Sequence, residues 1–133
     1  PGFLDHFADA TADDLPTNIL GMRALVKGWP ATPYPAEEVE TLLCSAMAVP
    51  ARIRANLAAR EIDGDDVLRA LRVPLLVSHG RADTVVLPAM AEHVLATCPV
   101  AEASWYEGVG HTPFLEQPDR FNRELAALPR RVS

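Results

Sequence analysis

The sequence predicts an α/β chain in two parts. Residues 1–71 read as an all-helical segment, and residues 72–133 as two parallel strands with helices. Three observations carry this reading. No convincing strand pattern precedes about residue 70. Pro74-Leu75-Leu76-Val77 is a continuous apolar run, as in strands covered by helices on both faces. Between that run and a second strand-like segment, Ala101 to Tyr106, lies a helical stripe. A strand, a crossover helix and a further strand form a parallel unit.

The elements follow in order. Thr11-Ala12-Asp13-Asp14 has the form of a helix start, a cap with an acid three residues on. Leu15, Ile19, Met22 and Val26 then recur at helical spacing, Pro16 suits a first turn, and Gly28-Trp29-Pro30 ends the helix. Pro33 and Pro35 mark a loop. Val39, Leu42, Leu43, Ala46 and Met47 form an apolar stripe, so a helix is expected from Ala36 to Val49. Pro50 opens another, with Ile53 and Leu57 expected on its inner face. Gly64-Asp65-Asp66 starts a short turn through Leu71.

After the first strand, Leu87, Met90, Ala91, Val94 and Leu95 make a stripe that Cys98-Pro99 closes. Ala101 to Tyr106 mixes polar and apolar residues, like a strand near a sheet edge. Gln117-Pro118-Asp119 starts the last helix, with Phe121, Leu125 and Leu128 expected on its inner face. Two parallel strands are too few for an independent sheet. Residues 73 to 133 are therefore expected to be the C-terminal part of a larger sheet. The chain starts without methionine, in mid-stream, which suggests a fragment, a truncated form or an incomplete gene model.

Composition narrows the classes of function. The net charge of −6 argues against generic nucleic-acid or anionic-membrane binding. No apolar run reaches the ~18 residues of a membrane span. Pro1-Gly2-Phe3-Leu4-Asp5 holds an acid and no basic leader, so no signal peptide is expected. Cys44 and Cys98 are not spaced as a metal or redox pair. Both read as small core hydrophobes in a reducing, cytoplasmic setting. The acidic pairs Asp13/Asp14 and Asp65/Asp66 read as helix starts, without the spacing of a calcium loop. No metal and no cofactor is expected.

The chemistry is expected at Asp83 and His111. Asp83 follows the first strand on a glycine turn, and His111 follows the second in Gly108-Val109-Gly110-His111. Parallel strands joined by one crossover end at the same sheet edge, where open α/β sheets place their sites. The two side chains should be neighbours there. A carboxylate beside an imidazole is two-thirds of a nucleophilic triad.

These residues resemble the α/β-hydrolase fold family over about residues 72–128. The resemblance rests on Val73-Pro74-Leu75-Leu76-Val77-Ser78-His79-Gly80-Arg81-Ala82-Asp83 and on Gly108-Val109-Gly110-His111-Thr112-Pro113-Phe114-Leu115-Glu116-Gln117-Pro118, followed by Phe121-Asn122-Arg123-Glu124-Leu125. It implies that Asp83 is the triad acid and His111 the general base, and that residues 1–71 are a helical cap. One part of the family pattern is missing: there is no G-x-S-x-G elbow. Ser45 falls in a helical pattern, Ser78 and Ser104 fall in strands, and Ser133 is the last residue. The family order puts nucleophile and oxyanion donors upstream of Pro1.

Other residues have plainer readings. His79 is expected to be a structural strand-end residue, and His79-Gly80 stands at the wrong strand for an oxyanion dipeptide. His93 faces away from its helix's apolar stripe, and His6 has no partner in view. Arg81 reads as a surface ion-pair residue. Glu107 and Glu116 read as solvent or cap groups, with Glu116 a possible acceptor for N–H groups of the last helix. Trp29, Met47 and Phe114 read as core or as pocket lining.

The leading expectation is an α/β-fold hydrolase acting on a small ester or related acyl substrate, with this chain alone inactive. It would need the missing N-terminal part of the domain as its partner, besides the small-molecule substrate. Two alternatives stay open. One is another chemistry of the same family: epoxide or haloalkane hydrolysis, perhydrolysis, or hydrolysis of a C–C bond. The other is a non-catalytic ligand-binding remnant.

Overall fold

A computed structural model describes residues 3–128. Ser133 and the first two residues of the Pro1–Asp5 segment lie outside the described residues. The chain divides into two units, one ending at Ile62 and the other beginning at Asp63.

The first unit is helical: α1 (Phe3–Ala10), α2 (Leu15–Lys27), α3 (Ala36–Met47) and α4 (Ala51–Ala58). Asp14 is the N-cap of α2. Its carboxylate accepts from the Thr17 amide at 3.0 Å and the Thr17 hydroxyl at 2.6 Å. Those two bonds hold its pKa below the ordinary aspartate value. Thr11, expected to cap α2, instead closes α1 by donating to the Phe7 carbonyl at 2.9 Å. The sequence reading missed α1 because its eight residues carry no start signal. Gly21 lets α1 and α2 cross closely: a Cβ there would lie 2.3 Å from the Ala10 nitrogen.

Ala10, Met22, Leu25, Val26, Val39 and Leu43 form the core of this unit, with Ile19, Trp29 and Met47 packed against it. Leu15 and Leu57 lie outside it, 60% and 55% exposed. Cys44, expected to be core, is exposed on α3, whereas Cys98 is buried.

No residue of α4 is fully buried, and a side chain rather than an apolar face anchors it. The Arg54 guanidinium donates to the carbonyls of Ala10 (2.7 Å and 3.2 Å), Ala46 (3.3 Å) and Val49 and to Asn18 Oδ1 (2.5 Å). These bonds engage all three guanidinium nitrogens, and burial lowers the Arg54 pKa.

The second unit holds α5 (Asp65–Ala70), β1 (Leu75–Gly80), α6 (Pro88–Thr97), β2 (Ala101–Tyr106), α7 (Pro113–Glu116) and α8 (Pro118–Ala127). The two strands pair in parallel, from Leu75 opposite Ala101 to Gly80 opposite Tyr106. The apolar run of β1 is half-buried from Leu75 to His79, and Gly80 is fully buried. The expected stripe of α6 is likewise only partly covered: Ala91 is buried, but Leu87 and Met90 are each 59% exposed.

On α8, Leu125 is 53% exposed. The helix is fixed to β2 by a polar network that the apolar pattern does not reveal. Glu124 accepts from Ser104 (2.7 Å), Tyr106 (2.7 Å) and Arg120 (2.9 Å). The Arg120 guanidinium lies 3.9 Å above the Tyr106 ring. Burial opposes ionisation of Glu124, but its three donors outweigh it and hold the carboxyl below the usual glutamate value. Burial and the Glu124 contact push the Tyr106 phenol up.

Among the described residues, no helix is long and apolar enough to cross a membrane, and no group of three His, Cys, Asp or Glu is placed to hold a metal.

Candidate active site

The site lies where β1 and β2 end together. The Arg81 amide donates to the Tyr106 carbonyl at 2.9 Å, and the Ala82 amide donates to the Val109 carbonyl at 3.0 Å. The two strand-end loops are therefore joined backbone to backbone. Gly80 makes this possible: a Cβ there would lie 2.0 Å from the Gly110 carbonyl oxygen. Gly108 turns the second loop with a φ of +67°, a left-handed conformation that glycine adopts without strain.

Asp83 is 5% exposed. Its Oδ1 accepts from the amides of Val85 (2.8 Å) and Val86 (3.0 Å), so the carboxylate is oriented by its own loop. Its Oδ2 faces His111 Nδ1 at 3.0 Å. A neutral imidazole that donates through Nδ1 carries its lone pair on Nε2, the form a general base requires. The His111 side chain is 33% exposed, so the ring reaches solvent while its partner does not.

His79 is a second imidazole beside the same carboxylate. Its Nε2 donates to the Val86 carbonyl at 3.0 Å, lies 3.7 Å from Asp83 Oδ2, and its ring meets Trp105 edge-on. Arg81 stacks on Trp105 at 3.6 Å and approaches Glu92 and Glu107 at 3.5 Å and 3.7 Å. His93 is exposed and pairs with Asp65 at 2.7 Å. Phe114 is 50% exposed and meets Phe121 edge-on.

Glu116 is the residue whose placement the sequence reading missed. It does accept backbone N–H groups, but those of the His111 loop rather than of α8. Gly110 N lies 3.0 Å and 3.1 Å from its two oxygens, and Thr112 N and Oγ1 lie 3.3 Å and 3.0 Å from Oε1. The available signal was an acid one helical turn after Thr112, the N-cap of α7.

A cleft of about 200 Å³ opens here, lined by Ser78, His79, Gly80, Asp83, Val86, His111 and Pro113. Drug-sized ligands take ~300–1,000 Å³, more than this cleft holds. A larger cleft of about 320 Å³ lies in the helical unit beside Asn18, Met47 and Arg54, and no histidine lines it. Of the serines, Ser45 donates to the Thr41 carbonyl within α3, Ser104 is engaged with Glu124, and Ser78 lines the cleft from within β1. None stands on a strand-to-helix turn.

No family model matches the chain. It is 27% identical over 128 residues to the pimeloyl-[acyl-carrier protein] methyl ester esterase of Vibrio cholerae, covering 94% of this chain and 50% of that protein. It superposes on an esterase, RhEst1, from Rhodococcus sp. ECU1013 with a TM-score of 0.89 at 27% identity, covering 98% of this chain and 48% of that one. The chain has the α/β-hydrolase fold over the portion it covers. A bromoperoxidase from Bacillus anthracis shares the α/β-hydrolase fold, with a TM-score of 0.80 at 15% identity over 96% of this chain and 48% of its own. The chain spans about half the length of these relatives. Its parallel strand pair and helices are the corresponding portion of an α/β-hydrolase sheet.

Proposed function

We propose that the protein to which this chain belongs is a cytoplasmic hydrolase of small esters or related acyl substrates, with Asp83 as triad acid and His111 as general base. The observation that carries the proposal is the Asp83–His111 contact at 3.0 Å, with the carboxylate held by two further amides. The esterases among the relatives support it. The nucleophile and the oxyanion donors are assigned to polypeptide outside residues 1–133. Residues 1–71 are assigned as a helical cap.

His111 Nε2 takes the proton of the nucleophile as it attacks the ester carbonyl. The imidazolium that forms is stabilised by Asp83 across Nδ1. His111 then returns the proton to the departing alkoxide, leaving an acyl-enzyme. Water repeats the sequence and releases the acid. A methyl ester of an acyl chain falls within this substrate class, and the reaction needs no cofactor.

The test is hydrolysis of p-nitrophenyl esters. The isolated chain should show no turnover. In the full-length protein, His111→Ala should lower kcat/KM by about 10³–10⁴-fold. Wild-type rates in that variant, or appreciable His111-dependent turnover by the isolated chain, overturn the assignment.

A further inference from the structure

We propose that Glu116 is a positioning residue for the His111 base, acting through the backbone on both sides of that histidine. The inference rests on the reading of His111 as the base and names what fixes it. One bond to Asp83 sets the direction of a ring, but His111 sits on a loop, and its Cα must also be placed. Restraints on both sides of the histidine do this. On the strand side, the Val109 carbonyl is tied to the Ala82 amide at 3.0 Å. On the helix side, a single carboxylate spans the histidine. Glu116 accepts from Gly110 N, which precedes His111, and from Thr112 N and Oγ1, which follow it.

Gly110 and Thr112 are both buried. Their N–H groups require acceptors, and buried donors left without one reorganise the peptide planes that bear them. Those planes flank the Cα of His111. The short helix α7 supplies the geometry: its first turn brings residue 116 back over its own N-cap, Thr112. A carboxylate supplies the chemistry, because it offers four lone-pair sites and no competing donor. Gln at this position keeps one acceptor oxygen but turns an NH₂ toward the remaining donors. Asp falls one methylene short.

The test uses the full-length protein, with Glu116→Gln, Glu116→Ala and Glu116→Asp assayed well below their melting temperatures. Displacement of a catalytic group by about 1 Å lowers rates by about 100-fold. Glu116→Ala and Glu116→Asp should approach that loss in kcat, with KM within about twofold of wild type and Glu116→Gln intermediate. The low-field proton resonance of His111 Nδ1–H should broaden or shift in the same order. A purely structural role lowers the melting temperature and leaves kcat and that resonance unchanged, and this result overturns the proposal. If Glu116→Ala and Glu116→Asp do not fold, Glu116→Gln decides alone: wild-type kcat and an unmoved resonance overturn it. Asp83→Ala and His111→Ala are run in parallel. If these keep wild-type rates, the base assignment itself fails, an outcome distinct from failure of Glu116 alone.

Discussion

In the helical unit, Met22, Leu25, Val26, Val39 and Leu43 bury an apolar cluster, and one guanidinium, Arg54, gathers the carbonyls of Ala10, Ala46 and Val49. In the sheet unit, the buried apolar set among the described residues is smaller: Ala91, Cys98, Tyr106 and Val109. There, three carboxylates do the fixing. Asp83, Glu116 and Glu124 each collect three or more donor contacts. Apolar burial is non-directional and tolerates repacking of similar volume. Hydrogen bonds to a carboxylate fix direction as well as distance. The unit that carries the acid–histidine pair is thus held by the type of contact that specifies orientation.

The comparison breaks first at Asp83. Asp83→Asn in the full-length protein keeps the shape of the side chain but not its role as acceptor for His111 Nδ1–H. A loss of about 10⁴-fold in kcat with little change in melting temperature is expected. A change confined to stability would erase the distinction between the units.

Leu25→Ala tests the other side. Leu25 is 5% exposed within the apolar cluster. Its truncation should cost about 2–5 kcal/mol in urea denaturation. Leu25→Met, closer in volume, should cost under about 1.5 kcal/mol. Equal losses from both would mean that the cluster demands shape as strictly as the sheet unit does.

Gly80→Ala is expected to cost about 1–3 kcal/mol, because the backbone of Val109 and Gly110 must move to admit a methyl group. It should also lower activity per folded molecule, since that backbone leads into His111. Retained activity in a destabilised variant would uncouple the glycine contact from the site.

The smallest effect concerns acid stability. The folded pKa of Glu124 is lowered, so its ionised form stabilises the fold. That contribution is fully present above the ordinary glutamate pKa of about 4.3 and is lost as pH falls through the lower folded value. Urea midpoints measured from neutral pH downward should show this loss in the wild type, and Glu124→Gln should lack that part of the slope. Parallel curves would mean that the Ser104–Tyr106–Arg120 donors contribute nothing specific to the charged form.

Much of this was legible in the sequence, for identifiable reasons. The run Pro74 to Val77 and the stripe after it gave β1, α6 and β2 nearly to the residue, because strand burial and helix periodicity leave separate patterns. The adjacency of Asp83 and His111 followed from chain connectivity alone. Helix faces were less legible. Leu57, Leu87, Met90 and Leu125 occupy apolar stripes and yet are exposed, because periodicity states which face is apolar and not what covers it. The carboxylate anchors were least legible. Glu124 reaches residues 18 and 20 positions away on another element, which no local spacing encodes. Glu116 lay closer to view, since its partners fall within six positions, but an acid near a helix start commonly serves that helix.

The paired amides of Arg81 and Ala82, which donate to Tyr106 and Val109, have a dynamic consequence. Neither strand-end loop can detach without breaking hydrogen bonds to the other. In native-state hydrogen exchange the amides of Arg81, Ala82 and Gly110 should open together, as one cooperative segment. A ligand or modification that silences this edge would then act on the whole edge, since no half of it is free to swing away.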